Sequence, residues 1–138
     1  MREGTAERRA QLFEEAVALI KRDYARPLRI EGVARDLATS RRQLQRAFAE
    51  IGNTSFREVL ASVRMQHARN LLANPHVPVG RVAASVGYHQ PAQFAKSFRR
   101  HHGTPPTNFR RAIVADDTVS VLPARDGDAP APAYATAS

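Results

Sequence analysis

The 138-residue sequence predicts an all-α fold of seven helices. Apolar residues recur at spacings of three and four, and the alternation typical of strands is absent. A pair of helices also repeats after 49 to 50 residues. Because 43% of the residues are apolar, the chain can bury a core. We therefore predict one folded domain over 9–113.

Each helix follows from this periodicity. One apolar stripe, which Pro27 terminates, predicts the first helix: Phe13, Val17, Ile20 and Tyr24. The same spacing predicts helices at 30–38, 41–51, 56–73, 79–86, 91–101 and 106–112. They divide into a first unit over about 9–52, a linker helix over about 56–73 and a second unit over about 78–112.

The repeat consists of two short helices joined by a tight turn. A first group of residues recurs after 49 positions: Ile30, Val33, Ala34, Leu37 and Ala38 return as Val79, Val82, Ala83, Val86 and Gly87. Leu44 and Phe48 return after 50 positions as Phe94 and Phe98, so the second turn has one extra residue. This pattern predicts two helix-turn-helix units, although a generic pair of antiparallel helices has a similar pattern.

Positive charge is concentrated in the predicted domain. Residues 1–113 hold 20 basic and 9 acidic residues, a net charge of +11, whereas 114–138 hold one Arg and four Asp, a net charge of −3. The basic body indicates a polyanionic partner, most commonly nucleic acid. Of the 21 basic residues 19 are Arg, which suits phosphate and guanine but also arises in a GC-rich genome. Ala, Pro and Asp dominate 114–138, which we predict to be a flexible acidic tail.

The helix at 41–51 has the side chains that read DNA bases. Its predicted core side consists of Leu44, Ala47, Phe48 and Ile51. The opposite side carries Arg42, Gln45 and Arg46, and these residue types pair with guanine and adenine in the major groove. Ser40 and Arg41 begin the helix, where a cap and free amides suit a phosphate. A solvated charged face is the alternative.

The matching face of the helix at 91–101 offers fewer hydrogen bonds to bases. Ala92 can touch a thymine methyl group, Gln93 flanks it, and three basic residues can hold the DNA backbone: Lys96, Arg99 and Arg100. We therefore expect more sequence discrimination from the first unit. The 17-residue linker helix, 56–72, spans about 25 Å and could hold the two reading helices roughly 34 Å apart. Of its arginines, Arg57, Arg64 and Arg69 are expected to stay hydrated or to reach phosphate.

Three stretches of the chain resemble the DNA-binding domain of AraC/XylS-type bacterial transcription regulators. They are SRRQLQRAF at 40–48, RMQHARNLL at 64–72 and VAASVGYHQPAQFAKSFRRHHGTPPTNFR at 82–110. The resemblance covers about 9–112 and implies a double helix-turn-helix DNA-binding domain. It places Arg42, Gln45, Arg46, Ala92, Gln93 and Lys96 at base-facing positions and Arg110 at the DNA backbone.

The sequence departs from the family pattern at the ends of several helices. Asn53 stands where the first unit usually has Gly, a substitution that Asn permits because it tolerates the left-handed conformation. Gln90 replaces the usual Asp cap, which predicts a weakly capped helix at 91–101. Arg29 and Pro78 replace capping Ser or Thr. These differences bear on specificity in the second unit.

Other function classes find little support in the sequence. There is no Cys, the five His form no chelating pair, and no carboxylate cluster accompanies them, so we predict neither an enzyme nor a metal or cofactor. No run of 18 apolar residues exists, which predicts a cytoplasmic protein with no membrane partner. The resemblance implies a location on the bacterial nucleoid.

The prediction is a sequence-specific DNA-binding transcription regulator that places two helices in successive major grooves of double-stranded DNA. The alternative is a nucleoid-architectural protein of low specificity. RNA polymerase is a second candidate partner. Because the two units differ, we expect a monomer on an asymmetric site of about 20 base pairs. The operator, the regulated genes, the sign of regulation and any inducer do not follow from the sequence.

Overall fold

The computed structural model describes residues 2–117, with side chains from 5 to 114. The described part contains seven α-helices and no strand, which confirms the predicted fold class. The helices are α1 (Arg2–Asp23), α2 (Ile30–Asp36), α3 (Arg41–Gly52), α4 (Phe56–Leu72), α5 (Val79–Ser85), α6 (Pro91–His102) and α7 (Pro106–Asp117).

The helix ends differ from those that periodicity predicts. α1 begins seven positions before residue 9, the predicted start of the domain. α2 ends two residues earlier than predicted and α5 ends one residue earlier. α7 continues to Asp117, beyond the predicted start of the tail at 114. The rest of the predicted tail, 118–138, lies outside the described residues.

The described residues divide into two compact units, one ending at Val63 and one beginning at Arg64, within α4. The core of the first unit forms where α1 packs across α3. Phe48 is fully buried, and its ring meets Phe13 at 5.2 Å and Phe56 at 6.0 Å, both edge to face. A Cβ atom at Gly52 would lie 2.5 Å from the Phe13 ring, so the absence of a side chain there permits the close approach of α1 and α3.

The second unit has a separate aromatic core. The ring of Phe98 lies 5.9 Å from Phe94 and 5.4 Å from Phe109, so α6 is packed on α7. Met65 and Leu72 from the end of α4 are also buried. Each unit therefore buries its own aromatic residues, at the positions where the repeat places Phe48 and Phe98.

The two turns have nearly identical backbones. The amide of Thr39 donates to the Ala34 carbonyl, and the amide of Tyr88 donates to the Ala83 carbonyl, both at 2.9 Å. The connections are 37–40 and 86–90, so the extra residue in the second turn is confirmed. Both are longer than the connections that the predicted helix bounds leave, 39–40 and 87–90, because α2 and α5 end early.

Candidate nucleic-acid interface

α3 separates a buried side from an exposed side. Leu44, Ala47 and Phe48 are completely buried, as predicted. The prediction for Ile51 is wrong: the residue is 37% exposed, because in the last turn of α3 the buried residue that faces Phe13 of α1 is Gly52. The predicted DNA-contacting residues of this helix are all exposed: Arg41, Arg42, Gln45 and Arg46.

Both ends of α3 are fixed by capping residues. The Ser40 hydroxyl accepts a hydrogen bond from the amide of Gln43 at 3.1 Å, which confirms the predicted cap. Asn53 adopts the left-handed conformation at φ 51°, as its substitution for Gly requires. These caps satisfy backbone groups that the helix would otherwise leave without partners and so hold α3 at a defined length.

Carboxylates accompany two of the predicted DNA-contacting arginines. Arg41 donates to Glu31 at 3.3 Å. A backbone hydrogen bond lowers the pKa of Glu31, and Arg41 lowers it further. Arg46 lies 3.7 Å from Glu50 in the same helix, and Glu50 also accepts a 2.7 Å hydrogen bond from Arg9 of α1. Each carboxylate places negative charge beside an arginine that the sequence assigns to DNA.

α6 presents a similar face with a different start. Phe94 and Phe98 are buried, whereas the predicted DNA-contacting residues of this helix are exposed: Ala92, Gln93, Lys96, Arg99 and Arg100. Gln90 makes no side-chain cap, as predicted, and Pro91 occupies the first turn. Arg29 and Pro78 also make no side-chain caps at the starts of α2 and α5.

Arg64 was expected to stay hydrated or to reach phosphate, but its side chain is half-buried and packs against the second turn. The guanidinium lies 5.6 Å from the centre of the Tyr88 ring, and burial lowers the pKa of Arg64. A Cβ atom at Gly87 would lie 3.0 Å from that guanidinium. The Tyr88 hydroxyl donates to Ser97 of α6 at 2.9 Å. These contacts tie the second turn both to α4 and to the exposed helix.

Two further arginines have contacts within the second unit. Arg110 donates to the carbonyl of Leu72 at 3.2 Å and to that of Asn74 at 3.1 Å, which joins α7 to the end of α4. Its contact with DNA stays a prediction. Arg69 lies 5.7 Å from the centre of the Phe109 ring, although it was expected to be hydrated or bound to phosphate.

Sequence reasoning missed three side chains next to the predicted reading residues. Glu50 is four positions after Arg46, a spacing at which opposite charges attract on a helix, so that signal was available. Arg9 is 41 positions from Glu50, and no local pattern predicts their contact. Tyr88 likewise reaches Ser97 across the turn, so the hydrogen bond depends on the folded backbone.

No helix in the described part of the chain is both long enough and apolar enough to span a membrane. Residues 2–117 also contain no group of three or more His, Asp or Glu side chains placed to hold a metal ion.

The chain is similar to known regulators. The family described as a helix-turn-helix domain matches residues 33–112. The Msm operon regulatory protein of Streptococcus mutans is 33% identical over 95 residues, which are 69% of this chain and 34% of that protein. The chain thus spans about a third of the length of the curated relatives it matches.

Two solved structures extend the similarity to the fold. A DNA-binding transcriptional dual regulator from Escherichia coli K-12 has 27% identity and a TM-score of 0.69, covering 75% of this chain and 93% of that chain. A probable AraC family regulator from Rhodopseudomonas palustris has 27% identity and a TM-score of 0.68, covering 75% and 97%. The chain belongs to the AraC-type helix-turn-helix family of DNA-binding transcription regulators.

Proposed function

We propose that this chain binds a specific DNA sequence by inserting α3 into one major groove and α6 into the next. The observation that carries the proposal is the exposed face of α3, where Arg42, Gln45 and Arg46 stand opposite a completely buried apolar face. A helix with two fixed ends and one buried side presents these side chains in a constant register to a groove.

The chemistry of the two faces supports unequal roles. On α3, Arg forms two hydrogen bonds with guanine O6 and N7, and Gln does the same with adenine N6 and N7. On α6, Ala92 and Gln93 contact bases, while Lys96 contacts bases or phosphate and Arg99 and Arg100 bind phosphate. Ser40, Arg41 and Arg110 contact the DNA backbone. The first unit therefore supplies most of the base discrimination and the second supplies more of the electrostatic affinity.

The size of the site follows from the two-unit design. Two major grooves on one side of B-DNA are about 34 Å apart, which gives an asymmetric site of about 20 base pairs for one copy of the chain. The relatives are named as operon regulators, and we extend that role to this chain, in the bacterial cytoplasm and with RNA polymerase as its second partner.

Selection from random duplexes, followed by footprinting, tests the proposal. We expect one preferred sequence, bound at least ~10³ times more tightly than bulk DNA at physiological salt. Protection should extend over two adjacent major grooves. A much smaller preference with diffuse protection would instead identify a nucleoid-architectural protein.

Two arginine variants separate base reading from backbone binding. Arg46→Ala should weaken binding to the preferred site by ~1 to 3 kcal/mol and leave bulk binding nearly unchanged, because a bidentate base contact is lost. Arg100→Ala should weaken binding to all sequences and reduce the salt slope by about one unit. Arg22→Ala, which removes an exposed arginine at the end of α1, controls for net charge. The first unit does not read bases through Arg46 if that variant keeps full selectivity.

A further inference from the structure

We propose that Glu50 and Arg9 are positioning residues that determine how strongly Arg46 selects its base. The inference rests on the proposed function of Arg46 as a base-reading residue. It adds two side chains that make no base contact themselves and that the resemblance to the family does not single out.

One carboxylate connects the two arginines. Arg9 donates through Nη1 to Oε1 of Glu50 at 2.7 Å, while Oε2 of the same carboxylate lies 3.7 Å from Nε of Arg46. The first distance is that of a charge-assisted hydrogen bond, and the second is that of a looser ion pair. Because the ion pair involves Nε, it leaves the two terminal nitrogens of Arg46 for the paired acceptors of guanine.

Arg9 is more deeply buried than the two side chains that follow it in this chain of contacts. Its side chain is 19% exposed, compared with 45% for Glu50 and 54% for Arg46. It projects from α1, which packs on α3 through Phe13 and Phe48 and through the close approach at Gly52. The order of the contacts therefore runs from the core, through Arg9 and Glu50, to the exposed arginine.

The second unit lacks this arrangement. At the repeat spacing of 50 residues, Arg46 corresponds to Lys96 and Glu50 corresponds to Arg100. α6 contains no acidic residue. Arg100 therefore repels Lys96, whereas Glu50 attracts Arg46 at the same spacing of four residues. The contrast matches the proposed division of labour, in which α3 discriminates and α6 binds backbone.

Holding an arginine in place before binding raises selectivity because less side-chain entropy is lost when it binds. Ordering a long side chain at an interface costs an amount equivalent to about 2- to 13-fold in affinity, and part of that cost has already been met when Glu50 restrains Arg46. The restraint helps only the sequence that the held arginine fits. The negative charge of Glu50 also repels phosphate, which weakens binding to all sequences equally and leaves selectivity unchanged.

The test compares selectivity in single and double variants of the same chain. Glu50→Gln and Arg9→Ala should each reduce the preference for the selected site over a site changed at the Arg46 base pair by about 2-fold, because an exposed ion pair meets only part of the ordering cost. Neither should reduce it further when combined with Arg46→Ala. Arg9→Lys, which keeps the charge beside Glu50, should retain most of the preference. Circular dichroism and thermal unfolding establish that each variant is folded.

Glu31→Gln is the matched control. Glu31 pairs with Arg41 at 3.3 Å, and Arg41 is assigned to the backbone, so this variant removes the same charge without touching a base-reading side chain. It should change affinity for all sequences alike. The positioning role would be overturned if Glu50→Gln had the same selectivity as the wild type. It would also be overturned if Glu50→Gln caused the same loss of selectivity in the Arg46→Ala variant as in the wild type. If Arg46→Ala itself keeps selectivity, base reading by Arg46 is wrong as well.

Discussion

At the scale of single residues, both turns of the repeat contain a left-handed residue, but the residue type differs between them. The turn after α2 needs a left-handed residue, and Ala38 adopts it at φ 56°. At the corresponding position after α5, Gly87 has φ 98°. A left-handed conformation costs an alanine roughly 1–2 kcal/mol, whereas glycine adopts it freely. The first unit therefore contains backbone strain that the second unit avoids.

Ala38→Gly should relieve that strain and stabilise the first unit by up to about 1 kcal/mol. The gain is smaller than the full strain because glycine also gives the unfolded chain more conformational freedom, which opposes folding. Native-state hydrogen exchange of the α2 and α3 amides measures the change unit by unit. Gly87→Ala is the reciprocal variant and should destabilise the second unit, because its Cβ would also lie 3.0 Å from the Arg64 guanidinium. Lower protection in Ala38→Gly would contradict this account.

Single-residue predictions succeeded where the physics is local. Ser40 and Asn53 could be assigned as caps because their neighbours in sequence decide the geometry. Arg64 could not, because its partners Gly87 and Tyr88 lie more than twenty positions away and are brought together by folding. An arginine has a planar, weakly hydrated head and an apolar stem, so charge alone does not predict that it is exposed.

At the scale of helices, α3 and α6 correspond in length and in two buried anchor positions but differ at the residue that precedes each helix. Each has 12 residues and two buried aliphatic or aromatic anchors four positions apart. The Ser40 hydroxyl caps α3, whereas Gln90 has an extended backbone at φ −112° and ψ 116° and contributes no side-chain cap. A serine at position 90 would offer its hydroxyl to the amide of Gln93, which now donates to the Gln90 carbonyl at 3.1 Å.

Gln90→Ser should therefore stabilise the second unit by about 1 kcal/mol, and Ser40→Ala should destabilise the first by a similar amount. Urea unfolding followed by hydrogen exchange of the α6 and α3 amides measures both changes. Gln93→Ser provides a comparison, because it places the same residue within α6, where it cannot cap. A Gln90→Ser variant no more protected than Gln93→Ser would show that the uncapped start does not limit stability.

Periodicity could predict the number, order and buried faces of the helices, because a helix that packs one side on a core repeats its apolar residues with the 3.6-residue period. It could not predict where α7 ends or that Ile51 at the end of α3 is exposed. Both depend on the surroundings of a helix end in the folded chain, and apolar spacing within one helix contains no information about those surroundings.

At the scale of the whole molecule, the titratable groups are distributed unevenly between the units. All five His lie between 67 and 102, in the unit that begins at Arg64. Within it, the His102 ring lies 4.5 Å from the Phe98 ring, and its Nε2 donates to the Met65 carbonyl at 3.1 Å. Burial lowers the pKa of His102, and Arg69 and His101 lower it further, against the opposing effect of the hydrogen bond. Burial also lowers the pKa of His67.

These shifts predict that acid weakens the second unit first. A histidine kept neutral in the fold accepts a proton when the chain unfolds, so its stabilisation is complete above the ordinary pKa near 6.5 and is lost as the pH falls through the lower folded pKa. The first unit has no histidine before Val63, and the carboxylates with a lowered pKa, Asp23 and Glu31, respond only nearer pH 4.

Hydrogen exchange is measured at pH 7 and pH 5.5 and corrected for the intrinsic exchange rate. Protection of the α5 and α6 amides should be lower at pH 5.5 than at pH 7, while that of the α2 and α3 amides should be the same at both. His102→Gln retains an N–H donor for the Met65 carbonyl but cannot titrate, so it should reduce the acid sensitivity of the second unit. His89→Gln, at an exposed histidine, should leave that sensitivity as it is. Equal acid sensitivity of both units in the wild type would contradict the role given to the partly buried histidines, because only the second unit contains them.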